Sequence, residues 1–111
     1  MHLKSLLLLL LLACGSAFAA DRHEYVIERT IPGASRMSAD ELRAISRKSR
    51  DVLKTLGDTV TWERSYVTED KFYCVYLAPN KELIRKHAEL GGFPVDRISQ
   101  VSAVIDPSTA N

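Results

Sequence analysis

Two histidines, one glutamate and a group of tyrosines are the side chains in this sequence whose types and spacing could do chemistry. His87 lies in Leu83-Ile84-Arg85-Lys86-His87-Ala88-Glu89-Leu90. Leu83, His87 and Leu90 stand at i, i+4 and i+7, which puts the imidazole on or near the apolar stripe of a helix. Such a histidine is either a core residue hydrogen-bonded to a strand side chain, or a ligand or acid/base group. Glu28 interrupts the apolar run Tyr25-Val26-Ile27. A carboxylate there is costly unless paired, and Arg29 and Arg64 are possible partners. Tyr66, Tyr73 and Tyr76 cluster around one hairpin, as cross-strand packing or as the wall of a pocket. Glu28 and His87, with Tyr66 or Tyr76, could line one pocket between helix and sheet. Imidazole with carboxylate suits nickel, copper or zinc. The same trio suits proton transfer on a small organic molecule. Spacing does not choose between them.

The elements that must position these groups follow from the pattern. Tyr25 to Ile31 is rich in β-branched residues and stops at Pro32-Gly33, so it reads as a strand. Ser38-Ala39-Asp40-Glu41 is a capping box opening a helix over Ala39–Leu56, with Leu42, Ile45, Val52, Leu53 and Leu56 on one face and Gly57 at its end. The basic residues on its other face are read as a solvated surface. Thr59 to Thr68 and Lys71 to Ala78 are two strands joined by a tight Glu69-Asp70 turn. Asn80 caps a second helix over Lys81–Leu90, closed by Gly91-Gly92, and a last strand runs from Arg97 to Ile105. The order β-α-β-β-α-β predicts an α+β, ferredoxin-like sandwich: a four-stranded antiparallel sheet with two helices on one face. Strand three is apolar on both sides, with Phe72, Cys74 and Tyr76 alternating with Tyr73, Val75 and Leu77. Helices cover one sheet face only. A second copy is the simplest cover for the other, so a homodimer is expected.

The first residues stand apart from this domain. Lys4, the leucine run Leu6 to Leu12 and the small residues Ala17-Phe18-Ala19 form a signal peptide over residues 1–19, which leaves 20–111 as one domain with its core at about 24–107. The apolar run is too short for a spanning helix. Leu11-Leu12-Ala13-Cys14 also fits a lipoprotein signal over 1–13, with Cys14 as a lipid anchor in the cell envelope. Either route exports the protein, to the periplasm or beyond. Either removes Lys4 alone among the charges, so the 15 Lys+Arg of the full chain fall to 14, equal to the 14 Asp+Glu. A neutral chain without interleaved aromatics gives no basis for binding nucleic acid. Cys74 is left without an internal partner and reads as a small buried hydrophobe. No CxxC, H-E-x-x-H, P-loop, G-x-G-x-x-G or G-x-S-x-G motif is present.

The segments Tyr25-Val26-Ile27-Glu28-Arg29 with Ile31-Pro32-Gly33, Ser65-Tyr66-Val67-Thr68-Glu69-Asp70-Lys71, Tyr73-Cys74-Val75-Tyr76, His87-Ala88, Gly92-Phe93-Pro94 and Val104-Ile105-Asp106-Pro107 together resemble a small bacterial nickel-binding family. The resemblance runs in order from about Tyr25 to Thr109. It implies a ferredoxin-like dimer that binds divalent nickel in a sequestering or metal-responsive role, without catalysis, and it places Glu28 and His87 at metal-binding positions. The family pattern has a histidine in W-x-H-S-Y where this chain has Arg64, which cannot ligate a metal. Two other readings stand beside it: a cofactor-free enzyme or small-ligand binder of the dimeric α+β type, and an interaction domain whose metal site has decayed through Arg64. His23 offers a separate metal route. Cleavage after Ala20 would expose Asp21-Arg22-His23, and an amino terminus with histidine third wraps copper or nickel in a square of nitrogens.

Overall fold

The first strand sets the two faces of the sheet. In β1 (His23–Thr30), Tyr25, Ile27 and Arg29 are buried, while Val26 and Glu28 between them are half-buried. That is the period-2 alternation of a pleated strand. The structure, a computed structural model, describes residues 21–111; the expected leader, with its cleavage sites and Cys14, lies outside the described residues. β1 pairs antiparallel with β3 (Lys71–Ala78) on one side and with β4 (Arg97–Gln100) on the other. β2 (Thr61–Val67) pairs with β3, which gives the strand order β2-β3-β1-β4. With α1 (Ala39–Thr55) between β1 and β2, and α2 (Lys81–Gly91) between β3 and β4, the ferredoxin-like β-α-β-β-α-β order is present.

Local chemistry fixes the helix ends. The Ser38 hydroxyl accepts from the Glu41 amide at 3.1 Å, and the Glu41 carboxylate accepts from the Ser38 amide at 3.1 Å. Two amides at the start of α1 are satisfied in this way. Asn80 Oδ1 accepts from the Leu83 amide at 3.0 Å at the start of α2. Gly92 closes α2 with φ 69°, a left-handed conformation that suits glycine. The Phe93 amide then donates to the Ala88 carbonyl at 2.8 Å, which turns Phe93 back under the helix. The expected hairpin is present: Thr68 and Lys71 close the Glu69-Asp70 turn through an amide–carbonyl bond of 2.9 Å.

The core lies between the helices and the inner sheet face. Tyr25, Ile27, Phe72, Cys74 and Tyr76 face Ile84 and the half-buried Leu42, Ile45 and Leu53. The last strand is shorter than the sequence predicts. Pairing stops at Gln100 rather than Ile105; β1 runs only two residues past Tyr25, to His23. Tyr25 is opposite Gln100, and the ladder's last bond runs from the Val101 amide to the Glu24 carbonyl. Residues beyond find no partner strand, and Val104 and Ile105 are 77% and 78% exposed. Among the described residues, no helix is long and apolar enough to cross a membrane.

Candidate functional site

Strand parity separates the residues that the sequence grouped together. Tyr76 lies on the inner face opposite Tyr25, whereas Glu28 lies on the outer face opposite Tyr73. Tyr66 is also on the outer face, opposite Tyr73 from the other side, and is 55% exposed. The sheet therefore stands between Glu28 and His87, and between Tyr66 and Tyr76. The expected pocket of Glu28, His87 and either tyrosine is reduced to His87 with Tyr76. Glu28 pairs with Lys71, at 3.4 Å, rather than with Arg29 or Arg64. Arg64 is on the outer face, where its Nε donates to the Tyr66 hydroxyl at 3.0 Å. His23 is exposed at the start of β1, beside the Tyr25 ring.

On the inner face, His87 is completely buried. Its Nε2 is 3.2 Å from the Ser49 hydroxyl of α1, which is 3.4 Å from the Tyr76 hydroxyl. Its Nδ1 has no hydrogen-bond partner. The rings of Tyr76 and Phe93 lie 5.2 Å and 5.4 Å from its own. Burial lowers the His87 pKa from 6.5 to about 4, assisted by the positive charge of Arg29, so the imidazole is neutral at pH 7. Burial likewise holds the Tyr76 hydroxyl above its usual range, opposed by the Ser49 hydrogen bond and by Arg29.

Arg29 completes the cluster. It is 3% exposed, donates from Nη1 to the Pro94 carbonyl at 2.8 Å and lies 5.5 Å above the Phe93 ring. Its Nη2 has no partner. Two signals for this cluster were in the sequence. Arg29 shares inward parity with Tyr25 and Ile27, and Ser49 is the polar residue in the middle of the apolar stripe of α1. A bulge in β2 adds to it. The register shifts between Trp62 and Arg64, so Trp62 and Ser65 both face inward, and the indole donates to the Ser65 hydroxyl at 2.9 Å.

A family model for nickel responsive proteins like SCO4226 matches residues 25–101. The chain belongs to this SCO4226-like family. The crystal structure of SCO4226 from Streptomyces coelicolor A3(2) matches with a TM-score of 0.63 and 19% sequence identity, over 74% of this chain and 99% of the other. That likeness supports the ferredoxin-like fold. No curated protein matches the chain. The family implies nickel, and the interior of this member does not suit it. Among the described residues, no three His, Cys, Asp or Glu side chains come together. The buried imidazole of His87 uses Nε2 on Ser49 and lies within the field of the Arg29 guanidinium, whose charge opposes a divalent cation.

Proposed function

We propose that this SCO4226-like protein is an exported, homodimeric nickel-binding protein that sequesters nickel or responds to it, without catalysis. Family membership is the observation that carries the metal. Export is read from the leucine-rich leader, 1–19 or, as a lipoprotein signal, 1–13 ahead of a lipidated Cys14, and it implies the periplasm or the envelope. The ligand we assign is His23 rather than His87 with Glu28. His23 is the exposed histidine among the described residues, adjoining an exposed Asp21 and Arg22, so its imidazole is accessible to an aqueous ion with either leader, and trimming of Ala20 would add the square of nitrogens. The dimer is supported by the outer sheet face, where the half-buried Val26, Tyr73 and Leu77 surround a buried Val75 with no helix above them.

Calorimetric titration of chelator-treated protein with nickel, copper and zinc tests the reading, beside His23→Ala and His87→Gln. Nickel uptake that His23→Ala abolishes and His87→Gln retains supports it. The reverse pattern moves the site into the domain interior, and an absence of uptake removes the metal function.

A further inference from the structure

The inner face of the sheet and α1 form a cavity of about 160 Å³ that opens to the surface. Its walls are mostly apolar, with Ile31, Leu42, Ile45 and Phe72 among them. Ser46, Ser49, Ser65 and Tyr76 add hydroxyls, and the charged group is Arg29, which lines the cavity with an unpartnered Nη2. Among the described residues, none of the ion pairs includes Arg29; the basic partners are Arg43, Lys54, Lys71 and Arg85. A buried cation without a counter-ion costs several kcal/mol, and one carbonyl and one ring face compensate only part of that. Tyr76 also lines the cavity, at the end of the chain from His87 through Ser49. If His87 donates to Ser49 and Ser49 to Tyr76, the phenol proton is left to point outward as a second donor. Next to the cavity is a surface groove that shares Ser46 and Trp62 with it and is flanked by Arg43, Arg47 and Arg50.

We propose that this cavity binds a small organic monocarboxylate with a compact apolar body, of the size of benzoate. The carboxylate meets the Arg29 Nη2 edge and the Tyr76 hydroxyl. The body fills the apolar remainder, in a volume close to the roughly 150 Å³ of an engineered apolar cavity that takes up benzene. The three arginines of α1 raise the local concentration of anions at the entrance. A phosphate dianion fits poorly: Ser46 and Ser49 are engaged with Leu42, His87 and Tyr76, so its second charge would meet mostly apolar walls, with the Ser65 hydroxyl as a neutral donor. The inference is independent of nickel.

The test is calorimetric titration of chelator-treated protein at pH 7 with benzoate, benzyl alcohol and inorganic phosphate. We expect saturable benzoate binding, at least tenfold weaker binding of benzyl alcohol, and no displacement of benzoate by phosphate. Arg29→Met lowers benzoate affinity at least tenfold. Tyr76→Phe, which keeps the ring, lowers it several-fold and serves if Arg29→Met does not fold. Leu90→Ala, at an exposed site on α2, leaves it unchanged. Absence of benzoate binding at millimolar concentration, equal affinity for the alcohol, displacement by phosphate, or full affinity in Tyr76→Phe overturns the proposal. Metal is absent throughout, so failure of the nickel reading leaves this result intact.

Discussion

At the scale of single residues, the interior is unusual in holding a neutral histidine and a charged arginine on the same side of one sheet. His87 has a folded-state pKa of about 4, below the ordinary 6.5. As acid is added, the unfolded chain takes up this proton first. The contribution to stability is therefore complete above pH 6.5, falls as pH drops toward 4, and amounts to at most about 3 kcal/mol. Urea unfolding at stepped pH is expected to show the midpoint falling across that window, and His87→Gln is expected to flatten this part of the profile. Arg29 gives the opposite expectation. Without a bound anion its charge is a cost, so Arg29→Met should melt at or above the wild-type temperature in ligand-free protein. A clear drop would mean that the Pro94 and Phe93 contacts outweigh the buried charge. The histidine was legible in the sequence because helical spacing exposes it. The guanidinium was not, because the adjacent Glu28 drew an ion-pair reading and Glu28 faces the opposite way.

At the scale of elements, the fold was legible almost throughout, because turn and cap residues stand where periodicity changes. Ser38 with Glu41, Asn80, Gly92 and the Glu69-Asp70 turn each satisfy backbone groups that the sequence predicts will need partners. Ser38→Ala is expected to cost about 1 kcal/mol, measured by thermal melting. Gly91 matters for a less visible reason. A Cβ there would lie 2.2 Å from the Phe93 ring. Gly91→Ala must push that ring away from His87 and Arg29, at a cost of about 1–3 kcal/mol. A melt unchanged from wild type would show that Phe93 has room to move. Two features were not legible. The β2 bulge turns Tyr66 to the outer face while keeping Trp62 inside, and no turn residue marks it. β4 ends within two residues of where β1 runs out at His23, a property of pairing rather than of the β-branched Val101, Val104 and Ile105.

At the scale of the whole molecule, the expected homodimer can be weighed by area. Four strands at about 4.8 Å spacing, each up to eight residues long at about 3.3 Å, give a sheet face of about 500 Å². A stable interface covers about 800 Å² per partner. A face covered with side chains offers more accessible surface than its flat area, so this face supplies much of the interface, which a further apolar surface completes. The tail beyond β4 carries it: Val104 and Ile105 are more than three-quarters exposed, far above the other large apolar residues. A tail that crosses onto the second copy would cover both its own side chains and the rim of the partner's sheet. Light scattering at micromolar concentration is therefore expected to give a dimer for the protein ending at Asn111. Removal of residues 103–111 should weaken dimerisation at least tenfold while leaving the thermal melt of the separated protomer unchanged. Leu77→Lys, placed on the sheet face itself, should give a monomer with the tail intact. A dimer that survives both changes would place the interface elsewhere, on the edges of β2 or β4, whose unpaired backbone groups are the other surface open to a second copy.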